Sequence, residues 1–552
     1  SVPDFADEYW GHADQSTHPK EMLGDWVYDG DGTDPAQSGK TLNQKLDALG
    51  GFDKRRQALR ALRGQPLRSE VYAKDGSSRE DTPYTVTEHA LSFRHDGSGP
   101  AGDETLEIIF PYRLATRTTQ WERGDDPRTT FTFQDDFDAY GQSTGKAQVA
   151  CPRGWASPTP DSGDAVSEPY LSTLSSKSYI HEDTTDQYMI DRIEETQTWE
   201  LVDDGSLTVK QLKEEIDTAG THSAASREIQ GHAIHYYDGP AYQGKSKGQI
   251  GAYGAKTRTQ QLVLTDALVD EAYPSDADPP DDTGAPLYLE ADAGSRSWTG
   301  EYPDAFRNRL DTLNGRAGYT YDSTEGHYYV EADRKRHDFQ DSNVSTTKGL
   351  VTGRKDPLGH ETEIQWDITY SFLPTQVTDP AGMTRQADYE MRTFKPKEVT
   401  DPNGNRVKVA YTPLGLIAKK ARMGTASETK GDTLADPGRS FTYDFNAFDA
   451  SGEPVSVTTT ERVHHVNASY SPTDPGETIE TVEYSDGMGR TVQTRVQAEE
   501  LDFGEAGLTR SSVGDAVGSS PSSEPRVRVT GWTRYNNKGD VVEKWEPFFA
   551  EG

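Results

Sequence analysis

Among its 552 residues the chain has one cysteine, Cys151, so no disulfide can form within it. Aliphatic mass is scarce as well. Leu, Ile, Val and Phe number 30, 13, 30 and 17, about 16% of the residues, and the formal net charge is −35. Below about 20%, at high net charge, chains fail to fill a thick core and disorder becomes a live reading. Cations are in deficit, with 57 Lys and Arg against 92 Asp and Glu. Phosphate backbones and anionic lipid surfaces both need clustered cations, so neither nucleic acid nor a membrane surface is expected as a partner. No run approaches the ~18 apolar residues of a membrane span, and the opening SVPDFADEYW has neither a charged n-region nor an apolar h-region. G-x-S-x-G, G-x-G-x-x-G, HExxH and P-loop patterns are all missing. No catalytic residue, cofactor-binding residue or metal ligand is therefore assigned by motif, and no cofactor is expected.

Aromatic residues are plentiful, with 9 Trp, 27 Tyr and 17 Phe, too many for a solvated coil. Tyr and Trp suit a pleated, half-buried surface, so the composition points to extended sheet rather than a globular core. Acidic residues spread along the chain, with Arg (34) exceeding Lys (23), also suit a high-salt source. Residues 41–64 carry the strongest helical pattern: Leu42, Leu46 and Leu49 recur at helical spacing, as do Ala58, Leu59 and Leu62, with Gly64 as a stop. Shorter helices are predicted at 266–273 and 303–313, and loops at 274–286, 426–438 and 503–525. Strands are predicted at 83–93, 104–110, 128–133 and 196–202 and through most of the remainder.

One phrase recurs. Asp356-Pro-Leu-Gly359, Asp379-Pro-Ala-Gly382 and Asp401-Pro-Asn-Gly404 each precede an aromatic seven residues after the glycine: Trp366, Tyr389 and Tyr411. Pro sets φ at the second position of a β-turn, Gly accepts positive φ near its end, and Asp bonds its own backbone. Each unit of about 22 residues thus reads as turn, strand, turn, strand, and one hairpin of that size must stack on neighbours. Looser copies are FDAYGQ (137–142), YSDGMGRTVQT (484–494) and YNNKGDVVEKWEP (535–547).

The tyrosine–turn–glycine pattern resembles the RHS, or YD, repeat. Longer strings resemble the middle and C-terminal part of the B component of insecticidal toxin complexes (Tc). They are residues 60–89, RALRGQPLRSEVYAKDGSSREDTPYTVTEH, with 117–142 and 236–273. The resemblance implies a mainly β fold, an RHS/YD-repeat sheet strip forming part of a hollow shell, with a few short helices. It divides the chain into an irregular N-terminal segment with a helix (1–64), a B-component-like β region (65–330) and an RHS/YD-repeat region (331–552). It also implies a secreted, non-enzymatic shell that encapsulates a cytotoxic RHS-associated polypeptide. The implied partners are a C-component-like RHS protein with its passenger and, through parts not in this chain, an A-component-like pore. No direct membrane insertion is expected. An extracellular RHS adhesion module of the teneurin kind is the alternative. The last residues stop within a repeat, with Trp545, Phe548 and Phe549 lacking a following unit, so an open edge is expected there.

Candidate chemical groups each have a plain structural reading. Eighteen residues separate the second and third DPxG motifs. That is the spacing of the self-cleaving aspartates at the end of the C component, so Asp379 and Asp401 are candidates for a proteolytic pair. The copy at Asp356 instead makes the spacing a property of the repeat, and turn formation is the expectation. Asp29, Asp31, Thr33 and Asp34 open like a calcium loop, but the twelfth position is Lys40 rather than Glu. His232 and His235, three apart on a strand, face opposite sides, and His464 and His465 are adjacent. Cys151 reads as an inert thiol. Asn343 and Asn467 are sequons that matter only outside the cell.

Overall fold

The structure, a computed structural model, describes residues 23, 27, 39–99, 106–134, 137–155, 168–273, 286–289, 318–341, 347–468, 475–498, 526–536 and 539–551. The chain divides into two units, Ser1–Ser345 with Arg354–Gly359, and Thr346–Gly353 with His360–Gly552.

In the first unit an 11-stranded antiparallel sheet follows the chain from β1 to β9, then adds β11 and β10. Its strands are β1 (Arg68–Val71), β2 (Thr85–Ser98), β3 (Glu107–Gln120), β4 (Arg128–Phe133), β5 (Gly145–Ala150) and β6 (Leu171–Asp183). They continue as β7 (Tyr188–Asp203), β8 (Ala225–Tyr237), β9 (Lys256–Thr265), β10 (Thr320–Asp322) and β11 (His327–Ala332). Alternation decides which face is buried. In β4, Arg-Thr-Thr-Phe-Thr-Phe, every second residue is buried, and Phe131 stands opposite Val149 of β5. Phe131, Phe133, Leu114, Leu174 and Leu201 form the main core with Val209 and Leu212 of the helix Val209–Asp217. Each such side chain contributes about 1.5–3 kcal/mol on burial. Thr208 and Gln211 cap that helix reciprocally: Thr208 Oγ1 accepts from the Gln211 amide at 3.2 Å, and Gln211 Oε1 from the Thr208 amide at 2.9 Å.

The helix expected over 41–64 is two helices, α1 (Leu42–Ala48) and α2 (Phe52–Ala61). Gly50 and Gly51 adopt φ of +63° and +79°, a left-handed kink that ends the first helix and turns the second. Both halves keep an apolar face on the sheet, with Leu42 and Leu49 packed against it, whereas Leu59 is exposed. Leu46, Ala58 and Leu62 pack together on Leu91 and Phe93 of the sheet. The helix expected at 266–273 is present as Asp266–Ala272. The expected helix at 303–313 and the loop at 503–525 lie outside the described residues, as does the 274–286 loop apart from Pro286.

After a short strand β12 (Arg334–His337), the second unit contains most of the repeat. Its strands begin with β13 (Val351–Lys355), β14 (Glu361–Trp366), β15 (Pro374–Thr378), β16 (Thr384–Glu390), β17 (Lys395–Thr400) and β18 (Arg406–Tyr411). They go on with β19 (Ile417–Met423), β20 (Arg439–Asp444), β21 (Val455–Arg462), β22 (Thr478–Ser485), β23 (Thr491–Gln497) and β24 (Arg526–Thr530). From β14 to β24 each strand pairs antiparallel with the next in the chain. A small hairpin, β25 (Thr533–Tyr535) and β26 (Val541–Lys544), follows, and β27 (Phe548–Glu551) returns to pair with β24. Of the three rings expected to lack a following unit, Trp545 stacks on Trp532 at 4.5 Å and Phe548 lies 5.7 Å from the same ring. Phe549 is exposed. The chain is therefore mainly β, in long antiparallel sheets that do not close into a barrel.

Burial separates the two units. In β18 and β21 every residue is partly exposed, with no alternation between a core face and a solvent face. Among the described residues of the second unit, the buried apolar side chains are Ala421, Ala447, Val527 and Val529. Among the described residues no helix is long and apolar enough to cross a membrane.

Candidate functional site

The DPxG motifs form one repeated turn. The glycine amide donates to the aspartate carbonyl at 3.0, 2.9 and 2.9 Å for Gly359, Gly382 and Gly404, whose φ values are +91°, +80° and +82°. Asp379 Oδ1 accepts the amides of Ala381 and Met383 at 2.9 and 2.8 Å, and Asp401 Oδ1 those of Asn403 and Asn405 at the same distances. The looser copies fold alike. Asp138 caps Tyr140 and Gln142, Asp486 caps Met488 and Arg490, and Asn536 Oδ1 accepts the Asp540 amide at 2.9 Å.

This places the candidate proteolytic pair. Asp379 sits in the β15–β16 turn and Asp401 in the β17–β18 turn, two strand spacings apart, about 10 Å. Carboxylates that share a proton stand about 3 Å apart. For Asp401, desolvation works upward, yet hydrogen bonds from Asn405 and Asn403 hold the carboxyl below its ordinary value. A shared proton would instead raise one member of the pair. Because Asn536 makes the same turn, Asp379→Asn is expected to leave intact mass and melting temperature essentially unchanged, while Asp379→Ala costs about 1 kcal/mol. Mass spectrometry after prolonged incubation, with thermal melts, checks both. Cleavage of the wild type that Asp379→Asn abolishes would reinstate the pair.

At the other end of the hairpins lies a row of rings. Trp366 stands opposite Pro374, Tyr389 opposite Pro396 and Tyr411 opposite Ile417, each just after a bulge. Trp366 Nε1 donates to the Val351 carbonyl at 2.8 Å, the Tyr389 hydroxyl to Pro374 at 2.8 Å and the Tyr411 hydroxyl to Pro396 at 2.7 Å. Tyr443 extends the row by donating to Ile417 at 2.9 Å. Each tyrosine bonds the residue that faces the previous ring, so rings and acceptors alternate in one line from β14 to β20. Burial pushes the Tyr389, Tyr411 and Tyr443 hydroxyls upward.

The turns beyond this row expose apolar side chains. Asp367 anchors the β14–β15 turn by accepting the amides of Tyr370, Ser371, Phe372 and Leu373, which lower its carboxyl to about 2. Ile368 in that turn is 100% exposed, and Phe372, Phe394, Leu414 and Phe448 in the same turn and the next three at this end are also exposed. No periodic signal marks these positions, because turn residues obey neither helical nor strand spacing.

The remaining candidates are dispersed. His232 is buried on β8, with Nε2 against Glu195 and Nδ1 2.6 Å from the Tyr329 hydroxyl, and desolvation lowers its pKa. His235 bonds Thr259 instead, at 3.1 Å, and burial lowers it to about 4. His465 Nδ1 lies 2.9 Å from Asp432, whereas His464 approaches Glu477 at 3.8 Å. Cys151 is buried in the main core, where desolvation raises its thiol well above the usual range. Asn467 exchanges backbone hydrogen bonds with Gly431. Asp29, Asp31, Thr33, Asp34 and Asn343 lie outside the described residues. Among the described residues no cluster of His, Cys, Asp and Glu has the geometry to hold a metal ion.

Residues 57–212 match the family described as the insecticide toxin TcdB middle/C-terminal region. Two of the quoted strings, 60–89 and 117–142, fall inside that span, and 236–273 lies outside it. Among solved structures the chain is similar to TcdB2–TccC3, at 18% identity and TM-score 0.65, over 91% of this chain and 24% of that one. It is also similar to the Photorhabdus luminescens Tc holotoxin pore, at 17% identity and TM-score 0.65, over 99% of this chain and 27% of that one. A third is TcdB2–TccC3–Cdc42, at 17% and TM-score 0.66, over 99% and 28%. The chain thus spans about a quarter of the length of these solved chains, and at such identity the likeness is one of fold. No curated protein matches it.

Proposed function

We propose that this chain is a non-enzymatic wall segment of a Tc-like toxin complex, which encloses a cytotoxic polypeptide and acts outside the producing cell. The observation that carries the reading is the sheet of the second unit, in which β18 and β21 are partly exposed at every residue and buried apolar side chains among the described strands are confined to Ala421, Val527 and Val529. A globular domain covers one face of such a sheet, whereas a single-layer wall needs both faces and little aliphatic mass. The polar face of such a strand, Arg406 and Lys408 in β18, offers an unfolded passenger few apolar footholds. The similarity to the Tc holotoxin pore and to TcdB2–TccC3 supports the same assignment. It also suggests a C-component-like RHS protein as partner, and the apolar side chains exposed in the turns beyond the aromatic row supply a surface for it.

Protease protection tests the proposal. The protein is co-expressed with an RHS partner of the C-component type that carries a protease-sensitive passenger. Co-purification and at least tenfold slower digestion of the passenger are the expected results. Digestion at the rate of the free passenger, despite a stable complex, would overturn enclosure.

A further inference from the structure

A cleft of about 210 Å³ opens between the β19–β20 loop and β21, lined by Lys420, Arg422, Arg439, Arg462, Asp432, Glu461 and His465 together with Gly438 and Val463. Its charge runs against the chain. Four cations meet two carboxylates in a protein whose formal net charge is −35. The carboxylates are already engaged. Asp432 is 2% exposed and accepts from the Val466 amide at 3.3 Å with His465 Nδ1 at 2.9 Å, while Glu461 pairs with Arg439 at 2.7 Å. Arg462 donates to the Pro475 carbonyl at 3.1 Å and reaches Asp436 at 4.0 Å.

The Arg422 amide also donates to Asp432 Oδ2 at 3.4 Å, but the Lys420 ammonium and the Arg422 guanidinium have no such anion among the described residues. Lys420 stands directly opposite Arg439, and Arg439 opposite Glu461, so these three point to one face, and Arg422 shares it two residues along the strand. Like charges directly opposite on neighbouring strands are destabilising. The backbone around the cleft is tightly fitted: a Cβ at Gly431 would overlap the Arg422 carbonyl oxygen, and one at Gly438 the Asp432 carboxylate.

We infer that this cleft binds a small oxyanion of the phosphate class, held by Lys420 and Arg422 with Arg439 at its side. A guanidinium fork grips two oxygens of such an anion, and the volume accommodates it with a few waters at about 30 Å³ each. The inference is independent of the proposed wall function.

Calorimetric titration of the intact protein with inorganic phosphate at constant ionic strength tests it, with pyrophosphate and succinate as further arms. Saturable phosphate binding is expected, weakened at least tenfold in Arg422→Gln and in Lys420→Gln and unchanged in Lys430→Gln. Both substituted residues are at least partly exposed, so melting without ligand should not move. Binding that survives both substitutions, no saturation by phosphate, or preference for succinate would overturn the assignment.

Discussion

Replacing Glu88 with alanine is expected to destabilise the first unit by about 3–5 kcal/mol. Glu88 is 1% exposed, on β2, between Arg68 of β1 and Arg117 of β3, which stand directly opposite it on either side. Arg68 Nη1 donates to Oε1 at 2.7 Å and Arg117 Nε to Oε2 at 2.6 Å. Removing the carboxylate takes a partner from two guanidinium groups whose side chains are 5% and 11% exposed. Arg68 retains Glu70 at 2.6 Å. For Arg117 no other anion is seen among the described residues, so most of the cost falls on that side. Urea unfolding followed by tryptophan fluorescence should show a lower midpoint with an unchanged slope. A variant with a near-wild-type midpoint would mean that Arg117 finds solvent or another acceptor, and that the buried triad contributes specificity rather than stability.

Acidification should weaken the same unit. Desolvation lowers His89, His232, His235 and His337, and His235 falls from 6.5 to about 4. In the unfolded chain these rings titrate near 6.5. Between that value and their folded values the unfolded state binds more protons, so stability is full above pH 6.5 and falls as pH drops toward 4. His235 alone amounts to at most about 3.5 kcal/mol across the window, at about 1.4 kcal/mol per pH unit, and about 2–3 once solvent screening of the half-buried ring is allowed for; the other three add in the same direction. The measurement is the urea midpoint at pH 7.5, 6, 5 and 4.5. His235→Gln, which keeps a polar partner for Thr259, should flatten the profile. A flat wild-type profile would show that these histidines gain compensating partners on protonation.

The turn chemistry was open to reading because it is local. Asp, Pro and Gly at fixed offsets specify a backbone path by themselves, and the aromatic seven residues on follows from the strand length between turns. The break in the first helix was equally present as Gly50-Gly51, but apolar residues recur at helical spacing on both sides of it and concealed the kink. What could not be read depends on residues far apart in the chain. The Glu88 triad spans residues 68 to 117, and buried Lys45 donates to Ser92, the Phe93 carbonyl and Tyr112. Asp432 meets His465 across 33 residues. The spacing of Asp379 and Asp401 suggested a catalytic pair, and only strand order places two strands between them.

Strand order also bears on how this chain reaches its native state. From β14 to β24 each strand pairs with its sequence neighbour, and Trp366, Tyr389 and Tyr411 each bond a carbonyl fifteen residues earlier. Contact order in this sheet is therefore low for an all-β protein, and loop-closure entropy is met in small steps. A ribosome at about 5–20 residues per second delivers one repeat of about 22 residues in roughly one to four seconds. A hairpin closes in about 1–10 μs. Each hairpin can thus equilibrate on the sheet already formed before the next leaves the exit tunnel, with its ring docking on a carbonyl laid down one strand before.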